Sequence, residues 1–536
     1  MKKIIILTIL LLVATVSIAY FYFSNLSLEN NKNEKVVARI PSDAGMVLEF
    51  TSDKTFYEIF KDYKLFAEIV GQNNQARLEQ LRNKFHANAQ LASFLDQQKI
   101  YLSFHHEKKS VQFLWLARLT KPLSQKDLEG HAISIKASAT GQYYQVSLDS
   151  IPDPFYLFID GDLATGSFSK ALLERSTGRD GIKISREFVT LISNTTARSE
   201  NALLNLYIDH KRLLPFIEKF YRKEMDGNYT FLNNMVGYSA LNMNFNSDAI
   251  MFNGITDLDT NTTSYFRLFL PQKSTKTTLQ RIIPLSTANF VQFNLSDHRR
   301  FESDLRELFN SRKELKVLTE QIATVSKQTG INPERDIKAL WANEFIVFQT
   351  ANHERYGAVK LKDGRKLQFL LEPLSEAVSH EFRRLRYSNI LYYYFGDAFK
   401  AFKRPYFLIA DNYLVFANSA AALRNYQKDY HKENFLYKTL RYTTFEQLLP
   451  DEATISLFIH NGNSRSITKS HLRPAYASRF AGKQGLRNFY GLSYKLSSDK
   501  DHFFTNLYIG YKQEDVSDFS ADSLFTDTSI NQQLQQ

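Results

Sequence analysis

Cysteine is absent from this sequence of 536 residues. Its absence excludes a disulfide scaffold, a thiolate-bound zinc or iron–sulfur site, a cysteine nucleophile and a membrane anchor made by lipidation of an N-terminal Cys. Glycine and proline are scarce, with 20 and 12 residues, which excludes a collagen-like or largely disordered chain. Only 2 Trp stand beside 43 Phe and 29 Tyr, a ratio that favours strand-rich cores over sugar-stacking platforms.

The usual signatures of catalysis and metal binding are also missing. The sequence has no G-x-S-x-G, G-x-G-x-x-G or G-x-x-x-x-G-K motif. Neither His353 nor His380 is followed four residues later by the second His that a zinc-binding helix requires. A calcium-loop-like start at Asp257 has Thr262 and Leu268 where Gly and Glu are needed. The sequence therefore predicts no metal, no cofactor and no catalytic residue.

Two Ser–Lys pairs fit the S-x-x-K spacing of acyl-transfer enzymes, Ser167 with Lys170 and Ser466 with Lys469. The companion S-D-N and K-T-G motifs are missing. An internal repeat described below places Asn418 opposite Ser167, and Asn cannot be a nucleophile. Because both Ser and Asn cap helices, we interpret this position as a helix N-cap.

An uncharged run of twenty residues, from Ile4 to Phe23, follows Lys2 and Lys3. As a helix it is long enough to cross the roughly 30 Å hydrocarbon core of a bilayer. The two lysines mark the cytoplasmic side, and the aromatic end at residues 20–23 suits the opposite interface. We expect a single-pass anchor in the bacterial inner (cytoplasmic) membrane, with the body in the periplasm or outside the cell. Cleavage after Ala19 is the alternative.

The sequence contains an internal repeat in two tandem copies. Ile40–Phe50 reappears as Ile283–Phe293, and the segment from Pro154 matches the segment from Pro405 with an offset of about 250 residues that persists to the end of each copy. The predicted organisation is a transmembrane helix at 1–23, a linker at 24–35, a first repeat at 36–270, a linker at 271–277, a second repeat at 278–511, and an acidic polar tail at 512–536, which its composition predicts to be disordered.

The matched positions alternate between apolar and polar residues, as half-buried antiparallel strands do. Helical spacing follows the first strand of each copy, over Tyr57–Ile69 and Phe301–Val325. Asn332 is predicted to cap a short helix that leads into a strand at Glu344–Thr350, and Tyr392–Phe395 is predicted to be a strand. The predicted fold class is α+β: two tandem copies of an antiparallel sheet with packed helices, preceded by one transmembrane helix.

The segment Gly330–Ile337, followed by Trp341 and Glu344, resembles a motif of a bacterial envelope-protein family catalogued only as a domain of unknown function. The Pro-containing opening Arg39–Phe50 also resembles that family, whereas Asn343 stands where the family tends to have Gly. The resemblance implies a membrane-anchored or exported protein with an α+β fold. It implies no activity.

Basic residues exceed acidic ones by 11, and one segment concentrates the excess. From Ala453 to Ser498 there is no Asp or Glu, while the corresponding part of the first copy is nearly balanced. This predicts a patch for an anionic partner or, more simply, a solvated basic face. Two trios at four-residue spacing form the candidate patch, each predicted to lie along one helix face: Arg465, Lys469, Arg473, Arg479, Lys483 and Arg487.

From these features we expect a membrane-anchored, envelope-exposed, non-catalytic protein that binds or scaffolds another component. The expected partners are the membrane through residues 4–23 and an anionic envelope component or a protein, with no nucleic acid. A carrier of a lipid or other apolar ligand is the first alternative, since mixed sheet and helix layers can enclose such a ligand. An envelope hydrolase built on one of the two Ser–Lys pairs is the second.

Overall fold

A computed structural model describes most of the chain. The described residues are 32–53, 72–86, 89–107, 110–123, 127, 133–138, 141–148, 151–178, 181–198, 202–222, 235–246, 249–379, 382–474, 476–477 and 488–511. The predicted spanning helix at 4–23, the helical pattern at 57–69, the tail at 512–536 and the basic residues Arg479, Lys483 and Arg487 lie outside them. No helix of the described part is long and apolar enough to cross a membrane.

The chain forms two compact units. Unit 1 comprises Met1–Phe216 and Tyr238–Met243, and unit 2 comprises Ile217–Gly237 and Asn244–Gln536. The division between them therefore falls inside the predicted first repeat, because the strand at Ala249–Leu258 belongs to unit 2.

The strands of the described part are β1 Met46–Thr51, β2 Lys99–Glu107, β3 Ser110–Arg118, β4 Ile133–Ser138, β5 Gly141–Leu148, β6 Ile151–Asp160, β7 Leu163–Ser167, β8 Asn205–Asp209, β9 Gly237–Asn246, β10 Ala249–Leu258, β11 Thr275–Lys276, β12 Thr287–Asn294, β13 Trp341–Thr350, β14 Arg355–Leu361, β15 Ser375–Ala377, β16 Arg383–Leu385, β17 Tyr406–Ala410, β18 Tyr413–Ala417, β19 Glu452–Ala453, β20 Ile455–His460, β21 Phe489–Asp499 and β22 His502–Tyr511.

The α-helices are α1 Gln72–His86, α2 Ala89–Leu95, α3 Lys170–Thr177, α4 Arg186–Arg198, α5 His210–Glu218, α6 His298–Ser311, α7 Leu315–Thr329, α8 Gly364–Leu371, α9 Ile390–Phe395, α10 Ala420–His431, α11 Leu440–Gln447 and α12 Asn461–His471. Shorter helical turns occur at Tyr265–Phe269, Leu279–Ile282, Pro333–Ile337, Lys338–Leu340, Gly396–Phe399 and Leu436–Lys438. The α+β class is confirmed, and every strand pairing within the two units' sheets is antiparallel.

Nine strands pair in the same order in the two units, and unit 2 continues with two more strands, β22 and β10. Unit 1 runs β4-β5-β6-β7-β3-β2-β1-β8-β9. Unit 2 runs β15-β16-β17-β18-β14-β13-β12-β20-β21-β22-β10. Tight turns join two corresponding strand pairs: Gly161 has φ +63 between β6 and β7, and Asp411 has φ +49 between β17 and β18.

Each unit buries apolar side chains between its sheet and its helices. In unit 1, Val47, Leu114 and Leu116 of the sheet pack with Leu172 of α3 and Phe188 of α4. In unit 2, one sheet face packs against α6 to α9 and the other against α10 and α11. The helical pattern predicted over Phe301–Val325 is confirmed as α6 and α7.

The prediction that Tyr392–Phe395 forms a strand is wrong, because these residues lie in helix α9. The segment is bracketed by Asn389 at φ 65 and Gly396 at φ 66. The Tyr392 hydroxyl donates to Glu314 over 2.5 Å, and the Tyr393 hydroxyl accepts from Arg306 over 3.0 Å. Packing in the core therefore overrides the strand preference of aromatic residues.

Both predicted linkers contain regular structure. Residues 32–37, at the end of the first predicted linker and the start of the first predicted repeat, are helical. In the second, β11 pairs with β19, and buried Gln272 accepts hydrogen bonds from the amides of Ser296 and Asp297, both over 2.8 Å. The segment at 271–277 is therefore a packed part of unit 2.

Candidate functional site

Three of the predicted patch residues lie at helix α12, and we call Arg465, Lys469 and Arg473 the α12 surface. Arg465 and Lys469 are exposed and lie one turn apart on the helix. Helix α12 ends at His471, so the prediction that Arg473 continues the same helix face is wrong. Arg473 is held instead by its Nε, which donates to the carbonyl of Tyr221 over 2.9 Å.

The surroundings of the α12 surface contain little negative charge. Within the described residues, neither Arg465 nor Lys469 forms an ion pair with a carboxylate. The exposed hydroxyl of Ser466 lies 3.1 Å from Nε2 of His353, and the rings of His353 and His471 are stacked with centroids 6.4 Å apart. The surface therefore offers cations and hydrogen-bond donors to solvent.

A second group of cations was not predicted. Arg384, Arg386, Lys403 and Arg404, which we call the edge cluster, lie at the β15–β16–β17 end of the unit 2 sheet. The amide of Leu385 donates to the carbonyl of Pro405, and a second backbone bond runs from Asn389 to Lys403, both over 3.0 Å. These bonds place the two cationic segments side by side. The RRLR run at 383–386 and the KAFKR run at 400–404 were the available sequence signals.

Most of the edge cluster is accessible and weakly neutralised. Arg386, Lys403 and Arg404 are exposed. Arg384 lies 5.2 Å from the ring centroid of Tyr406, and among the described residues it pairs with the carboxylate of Glu376 over 3.9 Å. At that distance and exposure the ion pair contributes little. The cluster therefore keeps most of its positive charge available.

Asp397, in the helical turn at Gly396–Phe399, forms an ion pair with Arg312. Arg312 donates to both of its oxygens, over 2.6 and 2.9 Å. This bidentate pair raises the pKa of Arg312 through its hydrogen bonds to Asp397.

Unit 1 provides an internal comparison for the edge cluster. The offset of 251 that aligns Pro154 with Pro405 places Pro152 opposite Lys403 and Asp153 opposite Arg404. Asp153 is an exposed acidic residue that pairs with Arg77 over 2.5 Å. Because the matching sheet end in unit 1 carries an acid, the strand arrangement itself does not require cations there.

The first Ser–Lys pair has no catalytic geometry. Ser167 is buried, and its hydroxyl donates to the carbonyl of Phe113 over 2.9 Å. The pKa of Lys170 is raised, chiefly by a hydrogen bond to Tyr143, so this lysine stays protonated and is a poor general base. The caps lie beyond the predicted positions. Ser169, two residues after Ser167, accepts the amide of Leu172 in α3, and Ser419, one residue after Asn418, accepts the amide of Ala422 in α10.

Three side chains in unit 1, those of Ser103, His105 and Asp43, are connected by hydrogen bonds in the way that serine hydrolases use. This arrangement was also not predicted from the sequence. Oγ of Ser103 lies 2.8 Å from Nε2 of His105, and Nδ1 of His105 lies 2.9 Å from Oδ1 of Asp43. Burial raises the pKa of Asp43, but the hydrogen bond and charge of His105 and the charge of Arg175 outweigh it and hold that pKa below its ordinary value. The connectivity matches a Ser–His–Asp triad.

In this hydrogen-bonded network the serine is buried and the carboxylate is exposed, which is the reverse of what a hydrolase needs. Ser103 and His105 are 0% exposed, whereas the Asp43 side chain is 27% exposed. A nucleophile must meet the substrate, but here the serine is at the closed end and the carboxylate faces water. In unit 2 the strand position that corresponds to Ser103 holds Phe348, whose ring is stacked on Tyr356. The arrangement supports a buried polar network rather than a nucleophile.

The motif that carries the family resemblance has a structural role. The Asn332 side chain accepts the amide of Arg335 over 3.2 Å, as predicted for a cap, and Asp336 accepts the amide of Asn332 over 2.9 Å. Buried Glu344 accepts the amide of Leu279 over 2.9 Å and pairs with Lys360 over 2.9 Å. These residues fix the loop before β13 and the helical turn at Leu279–Ile282.

An apolar cavity in unit 2 bears on the carrier alternative. It measures ≈ 10 Å³, which is room for about one water molecule. A lipid chain does not fit, so this cavity gives the carrier alternative no support. Its lining is formed by Ile337, Trp341, Leu371, Leu385, Ile390, Leu391, Phe407 and Leu414.

Metal ligands are not grouped in the part of the chain that the structure describes, where no cluster of three or more His, Asp or Glu side chains could hold an ion. The calcium-like segment is a turn in which Asp259 accepts the amide of Asn261 over 2.9 Å.

Comparison with known proteins yields little. The chain matches no protein-family model and no curated protein. Two crystal structures of TP0453, crystal forms I and IV, are similar to it at 13% sequence identity and a TM-score of 0.24. The alignments cover 45% of this chain and 88% or 87% of the TP0453 chains. At this TM-score the likeness carries no inference.

Proposed function

We propose that this chain is a membrane-anchored, non-catalytic binding or scaffolding protein of the bacterial cell envelope. Its folded body lies outside the cytoplasm and consists of two tandem copies of one α+β fold. The matched sequence segments and the common strand order of the two units support the duplication. The paired lysines and the uncharged run at 4–23 support the anchor and its orientation.

The observation that carries the binding function is the α12 surface. Arg465 and Lys469 are exposed on one helix, and Arg473 is exposed just beyond its end. Within the described residues no carboxylate pairs with Arg465 or Lys469, and exposed cations of this kind create a positive potential that attracts an anionic component. An anionic envelope polymer or an acidic protein surface has the required chemistry.

Binding is tested with full-length protein in detergent and inorganic polyphosphate as the anionic probe. Arg465→Gln with Lys469→Gln should weaken binding at low salt and reduce its salt dependence. The matched control is Lys316→Gln with Lys327→Gln, which removes two exposed cations from α7. Equal binding by the two double variants contradicts a specific role for the α12 surface.

The topology is tested separately by fusing alkaline phosphatase after Lys35. The fusion should be active, because that enzyme needs an exported compartment. An inactive fusion contradicts the orientation. Mature protein that begins at Tyr20 contradicts only the retained anchor.

A further inference from the structure

We propose that the edge cluster docks on the phosphate headgroups of an anionic bilayer, so that unit 2 has a membrane-contact surface distinct from the α12 surface. The proposal rests on the membrane anchoring proposed above. It adds a second contact with the lipid, made by the folded body.

The first argument is the shape of the cluster. Backbone bonds hold residues 385–389 beside residues 403–405, so the cations of two segments share one exposed margin of the sheet. The set is arginine-rich, and the planar guanidinium group binds phosphate oxygens bidentately. A margin of exposed cations matches an extended array of headgroups better than it matches a single small anion, which needs an enclosing pocket.

The second argument is the neighbouring aromatic residues. Tyr387 and Tyr406 are partly buried, each packed against a different one of the two core clusters of unit 2, and Arg384 lies over the Tyr406 ring. Tyrosine is enriched where proteins meet the headgroup region, because its ring is apolar and its hydroxyl is polar.

The third argument is effective concentration. A chain anchored at residues 4–23 keeps its folded body near the lipid surface, so each weak contact becomes an intramolecular event. Each basic residue close to an anionic membrane contributes about fivefold to binding. Arg386 and Arg404 together should therefore change the docking equilibrium about 25-fold.

The test uses the absence of cysteine in the chain. Ser388→Cys places one reactive thiol at an exposed position beside the cluster. Full-length protein carrying a donor dye there is reconstituted into vesicles with an acceptor dye on the headgroups. The vesicles contain phosphatidylcholine alone or phosphatidylcholine with phosphatidylglycerol.

We expect energy transfer to increase when phosphatidylglycerol is present and to decrease again at high salt. Arg386→Gln with Arg404→Gln should abolish the increase, and Lys316→Gln with Lys327→Gln should leave it unchanged. Unchanged thermal unfolding of the Arg386→Gln, Arg404→Gln protein shows that the loss is not caused by misfolding. Energy transfer that does not depend on phosphatidylglycerol overturns the proposal.

A competition arm separates the headgroup from free phosphate. Inorganic phosphate and sodium chloride are compared at equal ionic strength, and equal displacement is expected. Selective displacement by inorganic phosphate assigns the cluster to a free anion and overturns the lipid assignment. Flotation with neutral vesicles measures anchoring independently. If the chain does not float with them, the anchor is contradicted, and recruitment to phosphatidylglycerol vesicles then tests the edge cluster directly.

Discussion

Ser103, His105 and Asp43 show that hydrogen-bond connectivity alone does not define a catalytic residue. We expect a serine-directed fluorophosphonate to leave Ser103 unmodified, because its hydroxyl is fully buried and bonded to His105. Ser103→Ala should lower the free energy of unfolding of unit 1 by about 1–3 kcal/mol, the cost of leaving a buried polar group without its partner. Mass spectrometry of the treated protein checks the first expectation. Labelling of Ser103 that requires His105 would establish a nucleophile.

Unit 1 can be followed alone, because Trp115 and Trp341 are the only tryptophans and lie in different units. In a Trp341→Phe background, the fluorescence of Trp115 reports urea unfolding of unit 1. Trp115→Phe gives the corresponding reporter for unit 2.

His210 predicts a pH dependence for unit 1. Burial lowers its pKa from 6.5 to about 4. Between pH 6.5 and about 4, His210 is therefore protonated in the unfolded chain but not in the folded chain. The free energy of unfolding falls as the pH decreases through this range. Below about pH 4 His210 makes no further contribution to the pH dependence. The loss should reach about 3 kcal/mol at 1.36 kcal/mol per pKa unit. His210→Gln should remove that part of the slope of unfolding free energy against pH. An identical slope in the variant contradicts the burial effect.

At the scale of elements, helix caps were predictable in kind but not always in position. The sequence Asn332–Pro333 correctly identified the N-cap of the helical turn at Pro333–Ile337, since Pro is favoured at the first helical residue. For α3 and α10 the repeat alignment pointed to Ser167 and Asn418. The true caps are Ser169, two residues after Ser167, and Ser419, one residue after Asn418. Sequence alone does not show which of two nearby polar residues ends the strand and which one caps the helix that follows.

Ser419 gives a test at this scale. Ser419→Ala should lower the free energy of unfolding of unit 2 by about 1 kcal/mol, because its side chain accepts the amide of Ala422 over 3.1 Å. Ser419→Asp retains an acceptor and should keep most of the stability. The measurement is urea unfolding followed by Trp341 fluorescence in the Trp115→Phe background. Equal loss in both variants would mean that the cap bond is not the cause.

The edge cluster shows what sequence reading misses at this scale. Its cations come from two runs that are seventeen residues apart between Arg386 and Lys403. Neither run is long enough to stand out, and α9 and a helical turn separate them. Pairing of β16 with β17 brings them together. The α12 surface was found because its residues are close in sequence, at helical spacing.

At the scale of the whole molecule, the α+β class and the matched strands could be predicted because alternation and internal repetition are sequence properties. The boundary between the units could not, because it depends on the pairing of β10 with β22 over Ala249–Asp257 and His502–Gly510. A pairing between segments about 250 residues apart leaves no local signal. The strand order common to the two units also supplies a comparison, since it carries Asp153 in one unit and Arg404 in the other.

The acidic tail at 512–536 gives the prediction for the complete chain. It carries five acids and no basic residue after Lys512: Glu514, Asp515, Asp518, Asp522 and Asp527. Because it directly follows β22 in the chain, its effective concentration near the α12 surface is high, and we expect weak, salt-sensitive masking of that surface. Ending the chain after Tyr511 should strengthen polyphosphate binding several-fold at low salt and change little at high salt, where exposed charges are screened.

A full-length variant with the five acids replaced by Asn or Gln separates charge from length. It should bind polyphosphate as tightly as the truncated chain, because masking requires the carboxylates and not the tail itself. Combining either change with Arg465→Gln and Lys469→Gln should remove the gain, since the masked cations are then absent. If truncated and full-length chains bind equally at low salt, the tail does not cover the α12 surface.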